Sequence, residues 1–179
     1  MTPARSYPKT PVGPFPTPPR TFEDATGELI RVEALEPADS AEREALVEMY
    51  DDFDPADRAQ GIPPIGRDDI DEWLDLILPE GLDMVARHEN QVVGHTTLVP
   101  DGETEHELAI FVHHDYQGRR IGTELLRTLL GAAAEAGIEY VWLTVERWNT
   151  VAVTLYERVG FERCDSGSFE LEMSLRLAI

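Results

Sequence analysis

Between Leu108 and Phe161 the chain switches periodicity in a fixed order, and that order limits the folds open to it. An apolar run ending in Ile110, Phe111 and Val112 reads as a strand. The tight loop Gln117-Gly118-Arg119-Arg120-Ile121-Gly122 follows, and a long amphipathic helix is expected from Thr123. Ile121, Leu125, Leu126, Leu129, Leu130 and Ala133 form its apolar face, and Gly137 supplies its stop. Tyr140 to Glu146 reads as a second strand. Asn149 starts a short helix carrying Ala152, Leu155, Tyr156 and Val159, which Gly160 ends. A strand feeding a glycine-bearing loop that opens a helix is a site for an anion, usually a phosphate. The first backbone N–H groups of a helix have no partner inside it and point beyond its end.

The flanking segments extend the pattern. Residues 1 to 19 hold seven of the thirteen prolines and cannot make helix or central strand. Residues 1–20 are therefore expected to be a proline-rich, extended or disordered arm, with a single domain over 21–179. Leu29 to Leu35 alternates as a strand. Asp39 caps a helix with Glu42 as the other half of a capping box, and Leu46, Met49 and Tyr50 lie on one stripe. Asp54 to Gly66 is a loop, Asp68 to Leu78 a second helix, and Met84 to His88 and Gln91 to Val99 a hairpin through Glu89-Asn90. Glu107 to Val112 is the strand before the loop. Phe161 to Cys164 and Phe169 to Leu177 are the last two. Strand–helix alternation alone permits a doubly wound sheet as well as a mostly antiparallel one.

Charge narrows the partners. There are 35 acidic residues against 15 basic ones, a formal net charge of -20, and Lys9 is the only lysine. Non-specific nucleic-acid binding rests on Lys and Arg neutralising phosphates, so nucleic acid is not an expected partner. An acid-rich, lysine-poor surface suits concentrated salt, where self-repulsion is screened. The expectation is a halophilic archaeon as source, a cytoplasmic location and no membrane partner. The melting temperature is then expected to climb steeply between dilute buffer and molar KCl, and a flat thermal-melt series would remove the halophilic reading. The one cysteine, Cys164, forms no internal disulfide and reads as an inert thiol.

The order of parts resembles the GNAT-type N-acetyltransferases. That family uses Gln/Arg-x-x-Gly-x-Gly/Ala in the loop, and this chain gives Gln117, Arg120 at the first glycine position and Gly122 at the second. The run Asn149…Ala152…Leu155-Tyr156…Gly160-Phe161 is a second family signature. The resemblance implies an α/β (α+β type) fold, a splayed, mostly antiparallel mixed sheet flanked by helices. It also implies acetyl-CoA as acyl-donor cosubstrate. Its pyrophosphate would sit on the amides of Gln117, Gly118, Arg119, Arg120, Ile121, Gly122 and Thr123. Its pantetheine arm would pair with Ile110, Phe111 and Val112 and touch Asn149, and its sulfur would lie near the Tyr156 hydroxyl. Arg120 departs from the pattern, since glycine takes positive φ at little cost. Either the loop runs at ordinary φ there or its grip on phosphate is weaker.

Acetyl transfer to an amine needs a base, because an alkylamine near pH 7 is mostly protonated. Candidates are Glu107, Glu105, His106, Glu146, His95 and His113. Glu107 opens a strand similar to that of Pat-type protein-lysine acetyltransferases, where a glutamate at that place serves as base, and it is the expected catalytic partner of Tyr156. Ribosomal-protein N-terminal acetyltransferases that use a glutamate five residues before the motif asparagine would need one at Thr144. His113 and His114 read as exposed loop residues, and no metal is expected. Tyr50, Phe53, Gln60, Gly61, Ile62, Pro63 and Pro64 are expected to wall the acceptor pocket. The acceptor is an amine, a protein lysine or a small molecule, with homodimerisation left open. The alternative reading is a catalytically inactive coenzyme A-binding sensor or interaction module.

Overall fold

The computed structural model describes residues 5–36, 39–58, 61–164 and 169–179. Its eight strands form one sheet in the order β1-β2-β3-β4-β5-β6-β8-β7. They are β1 (Arg20–Glu23), β2 (Leu29–Ala34), β3 (Leu82–His88), β4 (Gln91–Asp101), β5 (Glu105–Val112), β6 (Tyr140–Glu146), β7 (Glu162–Arg163) and β8 (Glu170–Arg176). All pairings are antiparallel except β5 with β6. The helices are α1 (Ser40–Asp51), α2 (Arg67–Ile77), α3 (Ile121–Glu135) and α4 (Thr150–Val159). This is the splayed mixed sheet flanked by helices that the sequence led us to expect, not a doubly wound one.

Each helix covers the sheet with the stripe its sequence carries. Leu125, Leu126, Leu129 and Leu130 of α3 are fully buried against β2, β3, β6 and β8 residues in one core. Burying each leucine is worth roughly 1.5–3 kcal/mol, which outweighs any helix propensity term. On the opposite face α1 and α2 bury Leu46, Met49, Tyr50, Ile70 and Leu74 in a second core with Val85 and Val92. Asp39 caps α1 through the N–H groups of Ala41 and Glu42, as the capping box requires. Its other half differs, because Glu42 accepts from the Glu36 N–H and pairs with Arg87 instead of reaching back to Asp39.

Two segments differ from expectation. β1 has no counterpart in the sequence reading. It is four residues long with Phe22 its one large apolar side chain, too short to show a period. It is pinned by a turn in which Asp24 accepts from Thr26 and Glu28. Residues 5–19 are extended, as prolines demand, but the described part is packed rather than disordered. Val12 bridges to Leu177 in parallel, and Pro16 lies so close to α3 that a Cβ on Gly131 would stand 2.0 Å from its carbonyl oxygen. Arg5, Ser6 and Tyr7 cross the sheet over Trp142, Ser174 and Tyr140. Prolines remove backbone donors but leave side chains and carbonyls free to bind.

Candidate active site

β5 and β6 pair at only three rungs, Glu105 with Tyr140, His106 with Val141 and Glu107 with Trp142. Beyond them β5 stays on β4 as far as Gly94↔Val112, and β6 stays on β8 as far as Glu146↔Glu170. The sheet therefore opens between Leu108–Val112 and Leu143–Glu146. Backbone groups on those facing edges need partners, and an extended polar chain would supply them. Ile110 and Val112, from the β5 edge, pack into the same core as Tyr156 and Leu155 of α4. Gly122 sits where they converge: a Cβ there would lie 3.3 Å from Leu155 and 3.7 Å from Val112.

The mouth of this opening is the start of α3. The helix begins at Ile121, two residues before the expected Thr123, with Arg120 as N-cap. Arg120 takes φ 66, so the loop keeps the backbone that the family glycine would favour, and the expectation of ordinary φ falls. Gly118 has φ 73 as well. Arg120 offers no side-chain cap, which leaves the first N–H groups of Ile121, Gly122 and Thr123 facing outward. The surroundings are fixed. Gln117 donates to the Val112 carbonyl and to Asp57, at 3.1 and 3.0 Å. Arg119 stacks over Tyr116, stands 3.5 Å from Asp24 and accepts the Ala25 N–H on its carbonyl. Arg119 is thus held by protein, whereas Arg120 is exposed at the mouth. A left-handed arginine costs roughly 1–2 kcal/mol, partly offset by the extra unfolded-state entropy of glycine. Arg120→Gly should therefore raise stability by about 0.5–1 kcal/mol in urea unfolding; a lowered midpoint would mean that the side chain is held in place.

Asn149 and Tyr156 flank the opening from α4. Asn149 is the N-cap and accepts the Ala152 N–H at 3.3 Å, so its side-chain amide N–H groups are what it has left to offer. Two helical turns on, Tyr156 is nine-tenths buried, edge-on to Phe161 at 5.7 Å. Burial raises its phenol well above the ordinary value, so it keeps its proton at neutral pH.

On the other face, strand register decides among the candidate bases. Residues opposite each other on neighbouring strands share a face, as do residues two apart. Glu107 therefore stands with Val99, Ala109, Phe111 and Trp142 on the α1/α2 side, at the last rung before the opening. Its side chain reaches solvent, yet neighbouring protein desolvates the carboxyl and raises it above the usual range. Asp101 pushes the same way and Arg5 opposes. Glu105 is taken by the Tyr7 hydroxyl at 2.7 Å. His106 shares the side of Val141, away from Glu107, and burial holds its imidazole below its usual value. His95 is fully buried between the Tyr50 hydroxyl at 2.5 Å and Asp83 at 2.7 Å. Glu146 lies at the far end of β6, beside Glu170.

Two expectations need correction. His113 is not exposed: it is 2% accessible, its Nε2 bonds Asp52 at 2.8 Å, and His114 stacks on it at 4.0 Å. Asp52, His113 and His114 bring potential ligand atoms within 4.8 Å of one another. But the Asp115 N–H donates to His113 Nδ1, which puts the ring proton on Nε2, where a metal would have to bind. Tyr50 and Phe53 do not line a pocket; they are core residues in a ring cluster with Trp73 and Phe111. Gln60 lies outside the described residues. Gly61 and Ile62 are exposed in the loop before α2, Pro64 is half-buried, and buried Pro63 gives its carbonyl to Arg58. A cleft of about 500 Å³ lined by Met49, Asp52, His88 and Val92 lies near the start of β4. Val92 and Val99 are seven residues, roughly 23 Å, apart along β4, so the cleft is remote from Glu107. Sequence reading missed Arg5, Asp101 and Glu172, which meet over Trp142 on the face of Glu107. Nothing in their local sequence marks them.

Residues 44–161 match the model of the acetyltransferase (GNAT) family. A probable N-acetyltransferase camello of Xenopus tropicalis is 37% identical over 82 residues, covering 44% of this chain and 37% of that protein. The [ribosomal protein bS18]-alanine N-acetyltransferase of Escherichia coli is 36% identical over 66 residues, covering 37% of this chain and 43% of the relative. The matched stretch thus spans less than half the length of these curated relatives. Among solved structures, the GNAT domain of S. lividans PAT superposes with TM-score 0.75 at 18% identity, over 89% of this chain and 97% of that one. The acetyltransferase yncA from Salmonella typhimurium, solved with its cofactor acetyl-CoA, gives TM-score 0.64 at 20% identity, over 83% and 94%.

Proposed function

The chain belongs to the acetyltransferase (GNAT) family, and on that premise we propose that it transfers the acetyl group of acetyl-CoA to a primary amine by direct attack. The observation that carries this reading is the opening between β5 and β6 with an uncapped helix start at its mouth. Acetyl-CoA, when bound, supplies an activated acyl group on a thiol leaving group. The edge of Leu108–Val112 pairs with its amide-bearing arm, and the N–H groups of Ile121, Gly122 and Thr123 hold its pyrophosphate. Arg120, the exposed N-cap of the same helix, adds a charge-assisted bond through its guanidinium. Tyr156 donates its hydroxyl proton, or a hydrogen bond, to the departing thiolate. Glu107 takes the proton of the acceptor ammonium, directly or through a water. No second nucleophile is needed, and Cys164 lies beyond β7 beside Ser174 and Ser6.

The acceptor is a protein lysine or a small-molecule amine. Glu107 as base, by likeness to the Pat-type enzymes, supports the first. We place the protein in a salt-rich cytoplasm on its charge; among the described residues no helix is long and apolar enough to cross a membrane.

Gly122→Asp tests the donor site. It sets a carboxylate at the helix start and a Cβ against Leu155. Acetyl-CoA affinity in calorimetry should fall by at least about tenfold, the cost of one repelled charge at a helix terminus together with lost approach. Wild-type affinity would place the phosphates elsewhere.

A further inference from the structure

We propose that the face beside Glu107 carries a cation seat, filled in the resting protein by its own Arg5, and that the natural acceptor bears a second positive group which displaces it. This rests on the acetyl-transfer reading and names the acceptor's class. The Arg5 guanidinium lies 3.4 Å over the Trp142 ring. It pairs with Asp101 at 3.0 Å, Glu172 at 3.4 Å and Glu105 at 3.6 Å. Strand register puts all four partners on one face: Asp101 opposite Glu105, Trp142 opposite Glu107, and Glu172 opposite Thr144, two residues beyond Trp142. An aromatic floor with carboxylates around it is what an organic cation requires.

A cluster of acids alone would mean little in so acidic a chain. Here a guanidinium is already seated, and it fits imperfectly. The Nε of Arg5 reaches a Glu172 carboxylate oxygen only at 3.4 Å, and the indole Nε1 of Trp142, a residue 8% exposed, is buried with no hydrogen-bond partner among the described residues. A buried donor without a partner destabilises the arrangement that leaves it so, and an occupant that satisfied the seat better would displace the arginine. The rest of the segment need not leave with it. Tyr7 is held by Glu105 and stacks edge-on to Tyr140, and the Ser6 carbonyl accepts from Ser174.

The geometry also sets a spacing. Glu105 and Glu107 are two residues apart on β5, roughly 7 Å. An acceptor whose two positive groups are separated by about that length would place one in the seat and its reactive amine at Glu107. A guanidine or ammonium group four to five bonds from a primary amine meets this in a free small molecule, and on a basic peptide an arginine held about that far through space from a lysine amine does so. Agmatine, 1-amino-4-guanidinobutane, is the small probe.

The full chain is compared with Arg5→Ala and Arg5→Gln, the second keeping the stem over Trp142 in case the first fails to fold. Agmatine binding is measured by calorimetry without acetyl-CoA. Vacating the seat should tighten agmatine binding by at least about tenfold, and pentylamine, whose one charge can take the seat or face Glu107 but not both, by less. Adding Glu172→Gln to either variant should cancel the gain. With acetyl-CoA present, the KM for agmatine should fall in the Arg5 variants while kcat stays within about twofold. A lysine-containing peptide with an arginine nearby, set against one without, then separates peptide from free amine as the source of the cation. Equal agmatine affinity in wild type and both variants overturns the seat, and an equal gain for pentylamine overturns the acceptor with two positive groups. Failure of the parent reading looks different: agmatine gains affinity as expected, but no amine is ever acetylated.

Discussion

Tyr156→Phe lowers the rate of acetyl transfer by roughly 10- to 10⁴-fold, the span between losing a hydrogen bond and losing a general acid. The ring stays in place against Phe161, and only the hydroxyl is removed from a site that is already nine-tenths buried. Packing and acetyl-CoA affinity should therefore change little. Because burial holds the phenol far above neutral pH, Tyr156 carries its proton throughout the working range. The wild-type rate should show no alkaline loss from this residue until well above pH 9. Single-turnover mixing with saturating acetyl-CoA separates the chemical step from binding. An unchanged single-turnover rate would make Tyr156 a core residue and nothing more.

Glu107→Gln should cost roughly 10²- to 10⁴-fold near neutral pH, the usual worth of a positioned base. It preserves shape and leaves the loop and helix start at residues 117–123 untouched. The pH profile carries the sharper test. A base works when deprotonated, so activity is lost as pH falls through its pKa. Desolvation and Asp101 raise the Glu107 carboxyl, so this acid limb lies above that of an ordinary glutamate. In the variant the limb disappears. The deficit narrows at high pH, where the amine sheds its own proton. Full activity of Glu107→Gln, with collapse in Glu146→Gln or His95→Ala, would move the base and favour a small-molecule acceptor over a protein lysine.

What could be read from the sequence was local. The face of α3, the caps at Asp39 and Asn149, and the stops at Gly137 and Gly160 all rest on contacts within a few residues. The strand–loop–helix site and the α4 signature lie within one stretch, and their likeness to the family, not element order alone, suggested a splayed sheet. Position 120 was legible only as a departure. Its left-handed backbone is imposed by the loop, which Gln117 and Arg119 tie down from either side through Val112 and Ala25. The acceptor face was illegible for the opposite reason. Arg5 meets Asp101 across 96 positions and Tyr7 meets Glu105 across 98, and no periodicity connects such pairs. The prolines hid the arm's packing as well, since they exclude a helix or central strand while leaving tertiary contact free. Tyr50 was misread because an amphipathic stripe does not tell a pocket wall from a core; its hydroxyl is consumed by His95.

The packing of the arm on β8 has a consequence for birth of the protein on the ribosome. Ser6 finds Ser174 only across 168 positions. At about 5–20 residues per second, the arm waits roughly ten to thirty seconds after its own emergence for the strand it binds. The strands from β1 to β5 are neighbours in both sequence and sheet, and can zip as they appear. Helix α3 follows soon after. Residues 5–12 cannot complete their contacts until then, and a stretch rich in proline is suited to waiting, because it has no helix or hairpin of its own to collapse into. The nascent chain would thus be able to hold its donor before Glu172 completes the seat of its own arginine.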